Sequence, residues 1–120
     1  MKRVYKLFRL RKDGTLGPLF IDARLRVPVG VELPARDVPT KGFAHRPGWH
    51  SGVMPIAPHL SEKGRVWAEC HIPDGSDWYE FERPGNQGGK WIISDCIVVD
   101  RILTTKQVER IRSRCTAYAA

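Results

Sequence analysis

The sequence predicts a small β-rich domain of the α+β class, and three observations lead to this prediction. Six or seven short segments alternate apolar and polar residues or form short apolar runs, as strands do. The C-terminal segment repeats apolar residues at helical spacing. A long central segment, residues 41–69, contains three prolines that exclude a continuous helix. With 120 residues, of which 42% are hydrophobic, we expect one domain spanning residues 1–120.

The N-terminal segment is predicted to form a β-hairpin. Residues 3–11 alternate loosely, and the Asp13-Gly14 pair that follows is a strong signal for a type I′ turn. Residues 16–22 would be the return strand, with Pro18 placing it near a sheet edge. Residues 23–40 are interpreted as one short extended piece and a loop, in which residues 32–38 could form a helical turn.

The second half of the chain contains the clearest strand patterns. Residues 65–72 alternate, with Val66, Ala68, Cys70 and Ile72 predicted on the apolar face. Residues 78–82 form another short strand pattern. Residues 90–103 are the most apolar run and are predicted to form two strand segments joined at Ser94-Asp95, central in the sheet.

A helix is predicted for residues 104–116, after a β-rich core of residues 3–103. Thr104 and Gln107 have the spacing of a capping box. Val108, Ile111 and Cys115 then recur on one face. The remaining faces of this helix are strongly basic.

The formal net charge is +7, and its excess lies at the two ends of the chain. Such a balance favours a polyanionic partner, which would be a nucleotide, a nucleic acid or an acidic protein surface. The alternative is a solvated basic face without a partner. The candidate nucleic-acid contacts are Arg9, Arg11, Lys106, Arg110 and Arg114.

The ends of the chain also bear on its location. No apolar run is long enough for a transmembrane helix, and the N-terminus lacks the apolar region of a signal peptide. We therefore expect a cytoplasmic protein without a membrane partner.

The central segment is the predicted binding or catalytic surface, because long irregular segments rich in polar and aromatic residues commonly carry function. Stacking planes and phosphate-compatible donors for a nucleotide are predicted at Arg46, Trp49, His59 and Trp67.

The catalytic candidates are Glu69, His50 and His59. Glu69 shares a strand face with Trp67, and a carboxylate beside an indole can act as a general base. The alternative is an ion pair between Glu69 and Arg65 or a neighbouring strand. The histidine and cysteine spacings match no standard zinc site, so no metal is predicted. Cys70 and Cys96 are predicted to be buried thiols.

Three motifs resemble a family of small uncharacterised bacteriophage and prophage proteins. They are Arg46-Pro47-Gly48-Trp49-His50, Ala57-Pro58-His59-Leu60 and Arg65-Val66-Trp67-Ala68-Glu69. The resemblance extends from about residue 4 to residue 103 and implies no established activity.

A fainter resemblance is to the ADP-ribosyltransferase superfamily, especially its RNA 2′-phosphotransferase branch. It rests on Arg46, His59-Leu60-Ser61 and Gly89-Lys90-Trp91, in that order. It implies two short antiparallel sheets that form a cleft for NAD or an ADP-ribosylated group. Lys90 stands where many of these transferases have a catalytic glutamate.

These observations lead to three hypotheses. The first is a phage-type protein that binds NAD, a related nucleotide or an RNA end in such a cleft; as an enzyme it would be an ADP-ribosyl or RNA-phosphate transferase. The second is a non-enzymatic phage protein that inhibits a host nuclease or defence complex through basic contacts with an acidic surface. The third is a structural phage component.

Overall fold

A computed structural model describes residues 1–19, 25–35, 48–84 and 89–119, with helix side chains described to Arg114. The elements are β1 (Lys2–Leu10), β2 (Leu16–Gly17), β3 (Glu32–Pro34), β4 (Trp49–Gly52), β5 (Arg65–Ile72), β6 (Trp78–Glu82), β7 (Lys90–Ser94), β8 (Cys96–Ile102) and α1 (Thr105–Ala119). The β-rich fold with one C-terminal helix is therefore confirmed for the described residues.

The described strands form one antiparallel sheet in the order β3-β8-β5-β1-β4-β7-β6, with β2 paired to β1. The resemblance to ADP-ribosyltransferases implies two separate short sheets, and this expectation is wrong for the described strands. The structure has one sheet because the pair between Tyr5 and Gly52 joins β1 to β4 and so connects the two halves.

The two halves of the sheet fold toward each other. One residue, Asp95, links β7 to β8, although β4, β1 and β5 lie between these strands in the sheet. The Cα atoms of Ser94 and Cys96 are at most about 7.6 Å apart, whereas four strand spacings in a flat sheet would span about 19 Å. The chain therefore bends at Asp95 and crosses from one half to the other, as strands do at the corners of packed sheets.

The fold of the sheet creates an inner core without a covering helix. Its fully buried residues are Val4, Phe8, Leu16, Val27, Ala68, Cys70, Ile72, Ile92, Ile97 and Val99. The indole of Trp49 on β4 reaches β3, at the far end of the sheet order, and donates a hydrogen bond to the Leu33 carbonyl (2.8 Å). This contact crosses the interior and joins the two halves of the sheet.

An outer core lies on the opposite face, where α1 packs. It contains Tyr5, Leu7, Ala57, Trp67, Trp91, Leu103 and Val108, with Ile111 packed against them. The predicted capping box is confirmed, since the Thr104 N–H donates to Gln107 Oε1 and the Gln107 N–H donates to Thr104 Oγ1. Helix position is thus set by a local cap and by an apolar face.

The patterned strands of the second half are confirmed. The bounds of β5 and β6 agree with the predicted residues 65–72 and 78–82, and residues 90–103 form two segments that meet at Ser94-Asp95. Their predicted central place in the sheet is wrong. The centre belongs to β1 and β5, which pair over eight residues, while β7 lies next to the terminal strand β6.

Three predictions in the first half need correction. The hairpin forms, but the Gly14 N–H bonds the Arg11 carbonyl, so Lys12 and Asp13 are the central turn residues. Asp13 favours this turn because its carboxylate accepts hydrogen bonds from the Thr15 N–H and hydroxyl. The helical turn considered for residues 32–38 is replaced by a strand at Glu32–Pro34, while residues 36–38 lie outside the described residues. The central segment contains β4, which pairs with β7 and β1.

Candidate functional site

Two aromatic side chains, Phe81 of β6 and Trp91 of β7, face each other across paired strands on the outer side of the sheet. The His50 ring meets Phe81 edge-on, with centroids 6.3 Å apart and planes at 88°. The His59 ring meets Trp91 in the same way, at 5.9 Å and 73°. The structure therefore brings these two predicted histidines to one pair of aromatic rings.

The Arg83 guanidinium lies over both rings. Its central carbon is 5.3 Å from the Phe81 centroid and 5.8 Å from the Trp91 centroid, within the range of cation–π attraction. Tyr79 extends the group, since its ring lies 6.5 Å from that of Phe81 and is 58% exposed. We call His50, His59, Tyr79, Phe81, Arg83 and Trp91 the aromatic surface.

The charge of the aromatic surface depends mainly on Arg83. Partial burial, and then the positive charge of Arg83, lower the pKa of His59 from its ordinary value of 6.5. His59 is therefore mostly neutral at pH 7, when its ring can both donate and accept a hydrogen bond. A permanent guanidinium beside a neutral imidazole suits recognition of a phosphate and of hydroxyl groups near it.

A short turn holds His59 in place. The Leu60 N–H donates to the Ala57 carbonyl (2.9 Å). Ala57 and Leu60, which flank Pro58-His59, both pack into the outer core. The turn is anchored at its two ends, so the exposed imidazole has a defined position beside Trp91.

Trp49 does not join the aromatic surface. Successive strand residues face opposite sides of a sheet, so Trp49 points into the inner core while His50 points outward. Its ring makes a cation–π contact with Lys6, whose ammonium lies 5.8 Å from the indole centroid. The structure therefore does not bring Trp49 together with the two histidine rings, and a role of Trp49 in nucleotide binding stays a prediction.

Lys6 places an ionisable ammonium group among the apolar side chains of the inner core. Its ammonium donates to the His50 carbonyl (2.7 Å) and lies 5.7 Å from the Phe8 ring centroid. Burial lowers the pKa of Lys6 from 10.5 to about 8, although coupling to Cys70 opposes this change. This hydrogen bond links β1 to β4, which share one paired residue position, Tyr5 and Gly52.

Trp67 belongs to the outer core and is 3% exposed. Its indole N–H donates to Glu62 Oε1 (3.0 Å), and Arg112 of α1 bonds the same carboxylate at 2.7 Å. These contacts, the Trp67 hydrogen bond first, lower the pKa of Glu62. In this structure Trp67 anchors the helix, and its ring face is not available for stacking.

Glu69 lies on the outer face of β5 between two arginines. Its carboxylate accepts a hydrogen bond from Arg101 Nε of β8 (2.6 Å) and lies 3.3 Å from Arg3 Nε of β1. The strands β1 and β4 separate it from β7. This geometry is that of an ion pair with neighbouring strands, and a role of Glu69 as a base stays a prediction.

The remaining predicted contacts fall into three groups. Arg46 lies outside the described residues. Arg9 and Arg11 donate to the backbone carbonyls of Leu19 and Leu25 and so stabilise the N-terminal hairpin. Three exposed residues, four apart in α1, share one helix face and form what we call the basic stripe: Lys106, Arg110 and Arg114.

Sequence reasoning missed Arg83, Phe81 and Tyr79. The signal was present, since Tyr79, Phe81 and Arg83 alternate and therefore face the same side of β6. What the pattern did not indicate is that β7 and β4 bring Trp91 and His50 to that side.

Metal and thiol chemistry receive no support from the described residues. Within them, no group of three or more histidine, cysteine or acidic side chains is placed to hold a metal ion. Cys70 is buried as predicted, and burial raises the pKa of its thiol to about 12, which leaves it an unreactive thiol at neutral pH. Cys96 is half-buried.

A hollow of about 290 Å³ lies away from the aromatic surface, among Lys2, Asp74 and Trp78.

No helix among the described residues has the length and apolar character needed to cross a membrane. Comparison of the chain with protein-family models, with curated proteins and with solved structures gave no match.

Proposed function

We propose that this protein binds a nucleotide or the end of an RNA strand on the aromatic surface. The observation that carries the proposal is the Arg83 guanidinium over Phe81 and Trp91, with a histidine edge-on to each ring. Aromatic rings beside an arginine are the usual means by which proteins hold unpaired bases and their phosphates.

The parts of the aromatic surface have distinct roles in this proposal. The exposed ring of Tyr79 offers a face on which a base can stack. Arg83 supplies the phosphate contact, and the imidazoles of His50 and His59 supply donors and acceptors for ribose hydroxyls. Stacking typically contributes about 1–3 kcal/mol per base. The protein would therefore bind a single nucleotide weakly and a strand of several nucleotides more tightly.

The charge of the whole chain supports an anionic ligand. The net charge of +7 attracts polyanions, and the basic stripe of α1 adds three exposed cations on one helix face. A longer RNA strand could contact both surfaces.

Calorimetric titration with NAD, ADP-ribose and short RNAs, with and without a 5′-phosphate, tests the proposal. We expect Arg83→Gln to weaken binding of phosphorylated ligands about tenfold or more. Arg83→Lys keeps the charge but loses the planar guanidinium, so it should recover only part of the affinity. Arg26→Gln is the matched control, because Arg26 is an exposed arginine paired with Asp13 in the N-terminal hairpin. Failure of all ligands to bind, or equal loss in both glutamine variants, would refute the proposal.

Transferase activity is a finer proposal that rests on the resemblance to ADP-ribosyltransferases. It is supported by the contact between His59 and Trp91, since these residues come from two of the three motifs that carry the resemblance. Nicotinamide release from NAD, and loss of the phosphate from an RNA 2′-phosphate end, are the assays. We expect His59→Ala to abolish any turnover. Absence of turnover by the wild-type protein would refute the transferase proposal and leave only ligand binding.

Inhibition of a host nuclease or defence complex is the second candidate, and the basic stripe favours it. Reversing the charges of Lys106, Arg110 and Arg114 should abolish such a contact while leaving ligand binding by the aromatic surface in place. Binding that does not weaken with added salt would count against the basic stripe, because contacts between charges are screened.

A further inference from the structure

Strand β6 ends the sheet order, and no described strand lies beyond it. It has the sequence WYEFE, and all of its residues except the half-buried Phe81 are exposed. An exposed terminal strand presents unpaired backbone groups with which another strand can pair. This edge is distinct from the aromatic surface, which uses the outer face of the same strand.

The hydrogen bonds to β7 show which backbone groups of β6 are unpaired. The Asp77 carbonyl accepts from the Asp95 N–H (3.1 Å), and the Arg83 N–H donates to the Gly89 carbonyl (2.7 Å). Because antiparallel pairing alternates, the odd-numbered residues between them bond toward β7. The N–H and C=O groups of Trp78, Glu80 and Glu82 therefore point to the open edge.

Two of the three side chains on this register, Glu80 and Glu82, are acidic. Glu80 and Glu82 are exposed, and neither forms an ion pair with a described residue. In a symmetric pair of two β6 strands centred on Glu80, the two Glu80 side chains would lie directly opposite each other, which is unfavourable. The same carboxylates would stabilise an added strand that carries lysine or arginine at alternate positions.

We propose that the open edge of β6 binds an extended segment of a partner protein whose alternate residues are lysine or arginine. The segment adds a strand to the sheet, with backbone hydrogen bonds to Trp78, Glu80 and Glu82 and its cations facing the two glutamates. The positive net charge of the chain as a whole repels basic peptides, so binding here requires this local acidic edge. The proposal does not depend on ligand binding at the aromatic surface.

The probe is a short acetylated peptide in which lysine and valine alternate. Matched peptides have glutamate in place of lysine, or methylated nitrogens at alternate backbone positions. We expect the lysine peptide to bind and to shift the amide resonances of Trp78, Glu80 and Glu82. The glutamate and N-methyl peptides should bind at least about tenfold more weakly.

Two variants separate the backbone from the charge. Glu80→Pro removes an N–H that points to the open edge and leaves the hydrogen bonds to β7 in place, as proline at an edge strand permits. It should abolish peptide binding. Glu80→Lys keeps the backbone donor and should reverse the preference between lysine and glutamate peptides. Glu109→Lys, an exposed charge reversal on α1, is the control and should bind as the wild type does.

Three results would overturn the proposal. The first is no binding of the lysine peptide at millimolar concentration. The second is binding that neither Glu80 variant changes. The third is a wild-type dimer in light scattering that Glu80→Pro dissociates, because the occupant of the edge would then be a second copy of this chain.

Discussion

Replacing Lys6 with methionine should make the stability of the protein depend differently on pH. The ammonium of Lys6 lies among the rings of Phe8 and Trp49, and burial lowers its pKa from 10.5 to about 8. The unfolded chain therefore binds more protons than the folded one between these two values. Stability of the wild type should rise with pH across this window, while the methionine variant lacks this contribution.

The expected magnitude follows from the two pKa values. Below about pH 8 the charged ammonium destabilises the fold by about 3 kcal/mol, at 1.36 kcal/mol per pKa unit, and this cost disappears above about pH 10.5. Between about pH 7.5 and pH 10 the wild type should gain about 2 kcal/mol relative to Lys6→Met. The methionine variant also loses the Lys6 hydrogen bond to the His50 carbonyl, which costs about 1 kcal/mol at every pH.

Urea unfolding followed by tryptophan fluorescence measures the difference at several pH values. Cys70 has the opposite effect, because its raised pKa makes the folded state lose stability as the pH rises above 9. Lys6 lowers the pKa of this thiol, but up to pH 10 the thiol stays protonated in the folded state, so the loss is nearly the same in both chains. Lys12→Met is the control, since Lys12 is exposed. A difference between wild type and Lys6→Met that stays constant within about 0.5 kcal/mol would refute the buried-charge interpretation.

Three further predictions concern the scaffold. Thr104→Ala should destabilise the protein by about 1 kcal/mol through loss of the cap of α1, whereas Thr105→Ala, one residue inside the helix, should cost only a few tenths; chemical unfolding compares them. Gly48→Ala should cost at least about 1 kcal/mol more than Gly75→Ala, because both glycines have positive φ but only at Gly48 would the new Cβ lie 2.5 Å from a neighbouring side-chain carbon. Glu69→Gln should lower the melting temperature without changing nucleotide affinity, since the carboxylate pairs with two arginines; a selective loss of affinity would instead place Glu69 in the binding site.

Local patterns were sufficient for the elements whose residues interact mainly with their sequence neighbours. The alternation of residues 65–72 gave the bounds and apolar face of β5, because a strand with one buried side repeats every second residue. The capping box at Thr104 predicted the start of the helix for the same reason, since both of its hydrogen bonds close within four residues.

Elements specified by distant partners could not be predicted in this way. Strand β4 has only four residues and no apolar alternation, and it exists because β7 and β1 offer hydrogen-bond partners on its two sides. The composition of the central segment pointed to His50 and His59 as candidate site residues, and the structure places both against aromatic rings, but it attributed stacking to Trp49 and Trp67. The side of the sheet on which each tryptophan lies depends on strand register, which is a tertiary property.

The sequence by itself determined a β-rich domain with a capped basic helix, an excess of positive charge and a set of histidines near its centre. Only the tertiary structure decided that the chain crosses at Asp95 from one half of the sheet to the other, that Lys6 and Trp49 face inward, and that Arg83 joins the two histidines on the outer face. The physical reason is that hydrogen-bond pairing between strands far apart in the chain selects which side chains meet, and no local pattern contains that pairing.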